Sequence, residues 1–133
     1  MRLVLISAAI WFALDQGSKY AVVHAMDLVT RGVIEVAPPY LVFVMGWNTG
    51  INFGLFSGGP EGTRWILVAV AVAVTAWLLW WARNGLTRPI ALISAGAVVG
   101  GALGNTLDRL LYGAVADFLN MSCCGLNNPY AFN

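Results

Sequence analysis

Trp65-Ile66-Leu67-Val68-Ala69-Val70-Ala71-Val72-Ala73-Val74-Thr75-Ala76-Trp77-Leu78-Leu79-Trp80-Trp81-Ala82 runs without a charge between Arg64 and Arg83. The hydrocarbon core of a bilayer takes roughly 20 mostly apolar helical residues to cross, so this stretch suits one crossing. The alanine–valine alternation from Val68 to Val74 reads as lipid-facing helix because it lies inside this long uncharged run. Pro89 to Leu107, uncharged between Arg88 and Asp108, suits a second crossing. The whole chain agrees: its 133 residues are 59% hydrophobic and 10% charged, with a mean hydropathy of +0.76, whereas about a quarter of a soluble domain is charged. This is the composition of a membrane protein. A net charge of +1 and the lack of any Lys/Arg run exclude nucleic-acid binding.

The amino terminus supplies a third candidate. Leu3 to Leu14 is uncharged behind Arg2 and resembles the apolar core of a signal peptide. No small-x-small cleavage site followed by a polar domain appears, and apolar character resumes past Asp15 and Lys19 at Tyr20-Ala21-Val22-Val23. The expectation is a retained first helix over about residues 3–26. Asp15 and Lys19, four apart, can pair on it and reduce the cost of charge at the membrane boundary; the alternative is simply a helix end reaching water. Arg2, Arg83 and Arg88 flank the crossings on one side with no acid among them, which by the positive-inside rule places the amino terminus in the cytoplasm. The segment of about residues 27–62 is then outside, between helix one and a second helix of about 64–82.

That outer segment passes Pro38 and Pro39 and continues as Tyr40-Leu41-Val42-Phe43-Val44-Met45, too short to span and rich in β-branched and aromatic residues, so it predicts a strand at the membrane surface. Gly46-Trp47-Asn48-Thr49-Gly50-Ile51-Asn52-Phe53-Gly54-Leu55-Phe56 follows, suited to a turn or bent hairpin with aromatic anchors. The third helix, about 89–112, repeats Gly96, Gly100 and Gly104 at the spacing that admits a neighbouring helix closely. Asn105, Asp108, Arg109 and Tyr112 fall at i, i+3, i+4 and i+7 and share a stripe, which is expected to point into the bundle. An ion-paired helix terminus emerging into water is the alternative. Asp117 lies further on, in the outer segment 113–133, within Gly113-Ala114-Val115-Ala116-Asp117-Phe118-Leu119.

Two carboxylates near one interface, Asp108 and Asp117, make a hydrolytic aspartate site chemically possible, since a carboxyl pair sharing one proton can activate water and protonate a leaving amine. No Ser-His-Asp set can be built on the single His24, which reads as an interfacial polar residue, and no His/Cys spacing resembles a zinc site. Cys123 and Cys124 are adjacent, so a mutual bridge would be strained, and they read as packing or lipid-facing thiols.

Four motifs in order, Asp15-Gln16-Gly17-Ser18-Lys19, Asn48-Thr49-Gly50-Ile51-Asn52-Phe53-Gly54, Gly104-Asn105-Thr106-Leu107-Asp108-Arg109 and Val115-Ala116-Asp117-Phe118, resemble the lipoprotein signal peptidase (signal peptidase II) family over nearly the whole chain. The resemblance implies an aspartic endopeptidase of the bacterial cytoplasmic (inner) membrane. Such an enzyme removes the signal peptide from prolipoproteins, cutting before the diacylglyceryl-modified cysteine, without metal or cofactor. Membrane lipid is its surroundings and globomycin-type inhibitors are expected to bind. The family's first catalytic aspartate matches Asp117. Its second belongs to an F-N-x-A-D element whose start matches Phe132-Asn133, and it would lie three residues past Asn133, followed by a fourth transmembrane helix. Asp15, Asn48, Gly50, Asn105, Asp108, Arg109 and Asn133 match positions with supporting or substrate-binding roles, and Asn52 departs from the family's usual Ala.

The fold expected is an all-α membrane protein, a single-domain polytopic bundle with three visible crossings, a fourth implied by the resemblance, and a small β-rich extracytoplasmic segment. Should the chain end at residue 133, the dyad would lack one carboxylate, and a non-catalytic lipopeptide-binding or scaffold membrane protein becomes the alternative.

Overall fold

The computed structural model describes residues 1–50, 59–126 and 128–133, with side chains omitted at residues 59 and 60. The expected bent hairpin at Ile51 to Phe56, including Asn52, lies outside the described residues. In chain order the elements are α1 (Arg2–Lys19), a π-helical segment (Tyr20–Ala25), α2 (Leu28–Arg31), β1 (Val33–Ala37), β2 (Leu41–Asn48), α3 (Gly59–Asn84), α4 (Pro89–Tyr112) and β3 (Val115–Asn120). They divide into two compact units, Met1–Gln16 with Thr49–Ala114, and Gly17–Asn48 with Val115–Asn133.

The first unit is helical. Glu61–Asn84 and Pro89–Tyr112 are each 24 residues long with mean hydropathies of 2.1 and 1.6, long and apolar enough to cross a membrane; at 1.5 Å per residue each reaches about 36 Å. The valines of α3 would favour a strand in water. In lipid, where each backbone group must be satisfied within its own segment, the same run is helical. Glu61 in the first turn and Arg83 in the last complement the helix dipole, and the Asn84 side-chain amide donates to the Trp80 carbonyl at 2.8 Å to close the end. Trp65, Val70, Val72, Val74, Trp77 and Trp80 are exposed on α3, an apolar surface suited to hydrocarbon.

Helix α4 begins with Pro89 in its first turn and ends at Gly113, whose left-handed φ of +80° turns the chain away while its N–H caps the Arg109 carbonyl. Its buried face includes Gly96, Gly100 and Gly104, and the close approach expected from their spacing is made to α1. A Cβ at Gly96 would lie 2.5 Å from the Val4 carbonyl oxygen and one at Gly100 2.5 Å from that of Ala8, whereas Gly101, off this face, meets nothing within 4 Å. Ser7 Oγ donates to the Ile93 carbonyl at 2.7 Å across the same seam.

The second unit is a three-stranded antiparallel sheet of order β1-β2-β3 with the π-helical segment and α2 beside it. The regular helix stops at Lys19, seven residues short of the expected Met26. From there the hydrogen bonding widens, and the Met26 N–H reaches the Ala21 carbonyl five residues back at 2.9 Å. Val22, Val23, Leu28, Ala116 and Phe118 form the core, with Ile34, Phe43, Met45 and Leu119 packed on it. Phe43 and Phe118 meet edge to face, centroids 5.9 Å apart. Strand β2 realises the apolar run read from Tyr40 to Met45 and extends it to Asn48.

Candidate active site

Asp117 sits in β3 between Ala116 and Phe118, both buried in the sheet core, so its own side chain stands on the other face. Register decides what it meets there. Phe43 pairs with Leu119 and Gly46 with Asp117, so two residues of β2 oppose Phe118 alone, and this bulge sets Gly46 across from Asp117 and Asn48 across from Val115. Asn48 is thereby diagonal to Asp117 on one face, and its Nδ2 donates to Asp117 Oδ2 at 2.9 Å.

The other carboxylate oxygen is held from the opposite side. The chain returns after Asn120 along the far edge of β3, where the Phe118 and Leu119 N–H groups both donate to the Phe132 carbonyl and the Phe132 N–H donates to that of Leu119. Asn120 Nδ2 pins this return by donating to the carbonyls of Asn128 at 2.8 Å and Tyr130 at 3.0 Å. Asn133 Nδ2 then donates to Asp117 Oδ1 at 2.8 Å. Asp117 is 9% exposed, and two amide donors use only part of the roughly four lone-pair sites of a carboxylate. The arrangement is a near-buried, orientationally fixed carboxylate with acceptor capacity left for a water molecule. Gly46 packs closely beside it: a Cβ there would lie 3.3 Å from the Asp117 carbonyl oxygen and 3.9 Å from Asp117 Cβ.

A second polar cluster belongs to the helical unit. Gln16 Nε2 donates to Asp15 Oδ2 and to Asp108 Oδ1, both at 3.0 Å, and lies 3.3 Å from the Gly104 carbonyl oxygen. Asp108 is 2% exposed, and a Cβ on Gly104 would overlap the Asp15 carboxylate. The glycine face thus ends in a built polar lock between α1 and α4. Asn105 and Arg109 are half-buried, and Arg109 Nη1 donates to the Asn105 carbonyl at 3.3 Å. The expected single stripe divides: Asp108 is covered, whereas Tyr112, the last residue of α4, is 52% exposed. Gly50 carries φ +109°, and a Cβ there would strike Leu67 of α3.

The expected site residues therefore gather in two groups, Asp15 with Asp108 in the helical unit and Asn48, Asp117 and Asn133 in the sheet unit. Sequence reasoning missed Gln16 and Gly46. Gln16 has no signature until α1 and α4 are in register, and Gly46 becomes legible only through the bulge.

A helical membrane chain that presents a fixed aspartate beside a small sheet is compatible with a membrane enzyme of the aspartic peptidase class. The chain belongs to the signal peptidase II family, described as Signal peptidase (SPase) II, whose pattern it matches over residues 7–133. Among curated relatives, the lipoprotein signal peptidase of Rhodopseudomonas palustris (strain TIE-1) is 41% identical over 137 aligned positions, covering 100% of this chain and 82% of that one. That of Methylobacterium sp. (strain 4-46) is 41% identical, covering 97% of this chain and 76% of the relative. A solved bacterial membrane enzyme shares the fold with a TM-score of 0.82 at 24% identity, covering 100% of this chain and 82% of the solved one.

Proposed function

We propose that this protein is an aspartic endopeptidase of the bacterial inner membrane that removes the signal peptide from prolipoproteins, cutting before the diacylglyceryl-modified cysteine. The observation that carries the reading is the Asp117 carboxylate held at both oxygens by Asn48 and Asn133 in a chain of the signal peptidase II family. Family membership and the names of the relatives support the substrate class.

In this reading Asp117 is one half of a carboxylate pair. The pair takes a proton from water as the oxygen attacks the scissile carbonyl, and returns a proton to the departing amine. The partner carboxylate is the one that the family pattern sets three residues after Asn133. Asn48 and Asn133 fix the orientation of Asp117, so that little reorganisation accompanies the reaction. Arg109 and Asn105, with a cationic fork and a side-chain amide, bind substrate backbone and stabilise charge on the carbonyl oxygen. Asp15 and Asp108 brace the helices that carry them, and Gly50 braces the outer loop. α1 serves as a third crossing and a further helix completes the bundle, with the amino terminus cytoplasmic and the site at the outer face. Globomycin-type inhibitors compete with the lipidated substrate.

The test is the intact mass of the protein from its native membrane, set beside cleavage of a diacylglyceryl-modified prolipoprotein peptide by the same preparation. A mass well above 14.2 kDa with cleavage supports the complete carboxylate pair. A mass of 14.2 kDa without cleavage overturns the peptidase reading and leaves lipopeptide binding.

A further inference from the structure

We propose that Cys123 and Cys124 form a dithiol site for trivalent arsenic, which the two sulfurs bind together. Both residues are exposed and free, and their side chains are hydrogen-bonded to one another. The backbone places them so. Cys123-Cys124-Gly125-Leu126 is a tight turn closed by the Leu126 N–H on the Cys123 carbonyl at 2.8 Å, with φ of +58° at Cys124 and +83° at Gly125. Two consecutive positive φ values define the primed hairpin turn, whose first central position favours Asn, Asp or Gly. Cys124 occupies it against that preference, and the cost of such a conformation is sustained only where the surroundings hold it. Here they do: Asn120 ties the two flanks of the tip, the Asn128 N–H donates to Ser122 Oγ at 3.0 Å, and the Ser122 N–H donates to the Pro39 carbonyl at 3.2 Å.

A disulfide is the poorer use of these thiols. Across a trans peptide the two Cα atoms are about 3.8 Å apart, below the usual disulfide range that begins at roughly 4.4 Å, so the dithiol form is favoured. Two sulfurs side by side suit a pyramidal centre that takes both on one side, which trivalent arsenic is; ions that prefer two opposed sulfurs are served less well. The chemistry balances without redox. An arsenic(III) oxide, R–As=O, and two thiols give R–As with two As–S bonds and one water, the thiol protons leaving on the oxide oxygen. Hydrogen bonding with Cys124 first, and desolvation second, push the Cys123 thiol above its ordinary range.

The site is independent of the peptidase reading. The experiment titrates phenylarsine oxide into the full chain in detergent, followed by intact mass and by maleimide labelling of the remaining thiols. The expected result is one phenylarsenic group per chain, both thiols protected, stable to a monothiol and removed by a dithiol. Cys123→Ser, Cys124→Ser and Cys124→Gly should each bind at least about 100-fold more weakly, the scale on which a tethered second contact acts. Cys124→Gly separates chelation from folding, because glycine accepts this φ without strain and leaves the turn intact. Binding within a few-fold of the parent in any single variant, or an adduct that a monothiol removes, would overturn the proposal.

Discussion

Asn133 donates a 2.8 Å hydrogen bond to Oδ1 of Asp117, sixteen residues before it in the chain. The contact exists because Phe132 is paired with Leu119 along the edge of β3, which brings a return segment of irregular backbone to the carboxylate of that strand. Asn48 approaches the other oxygen from β2. Asp117 is thus oriented by two elements far apart in sequence, and each can be removed separately.

Asn133→Ala and Asn48→Ala should each lower kcat/KM by about 10- to 100-fold, since a hydrogen bond to a charged group contributes roughly 1.5–3 kcal/mol. The helical content should be unchanged. Steady-state cleavage of a lipidated peptide, with circular dichroism on the same samples, checks this; full activity in both variants would show that the two amides do not position Asp117.

Gly46 offers a test by added bulk. Gly46→Ala puts a methyl 3.3 Å from the Asp117 carbonyl oxygen, a shift the strands can absorb, and should cost little. Gly46→Leu should displace Asp117 and reduce kcat by about 10- to 100-fold, the range expected for a displacement of about 1 Å at a reacting group. Equal activity in the two variants would mean that this contact does not matter.

The helical seam can be probed with an internal control on one helix. Gly100→Ala drives a methyl against the Ala8 carbonyl oxygen and should destabilise the protein by about 1–3 kcal/mol. Gly101→Ala, with open space at the same position of the next residue, should be neutral or stabilising by up to about 1 kcal/mol. Thermal denaturation in detergent distinguishes them.

The Cys123 thiol is raised first by its hydrogen bond with Cys124 and second by desolvation. A raised thiol holds less thiolate at a given pH, and thiolate is the alkylating form. The pH at which Cys123 reacts with iodoacetamide should therefore fall in Cys124→Ala. An unchanged or higher onset would contradict this cause.

The sequence was most legible where lipid is the solvent. The two uncharged runs emerge as α3 and α4 because hydrocarbon leaves a chain that length only one way to satisfy its backbone, and the glycine spacing announced a close helix contact. It could not say which helix would fill that seam, because the Gln16 to Asp108 hydrogen bond joins residues 92 apart. β2 was read from its β-branched run, whereas β1 and β3 were not: Val33–Ala37 is short, and Val115–Asn120 looked like an acid stranded among apolar neighbours. Asp117 could be picked out by resemblance alone. Its orientation rests on a bulge between Phe43 and Gly46 that no periodicity encodes.

The most direct test of the account is the rate at which the membrane-embedded protein and its Asp117→Asn variant cleave a diacylglyceryl-modified prolipoprotein peptide. Asparagine keeps the shape of the site and removes the proton acceptor, so the account predicts a loss of about 1,000-fold or more in kcat, with folding and lipopeptide binding preserved. Cleavage by Asp117→Asn at the parent rate would contradict it.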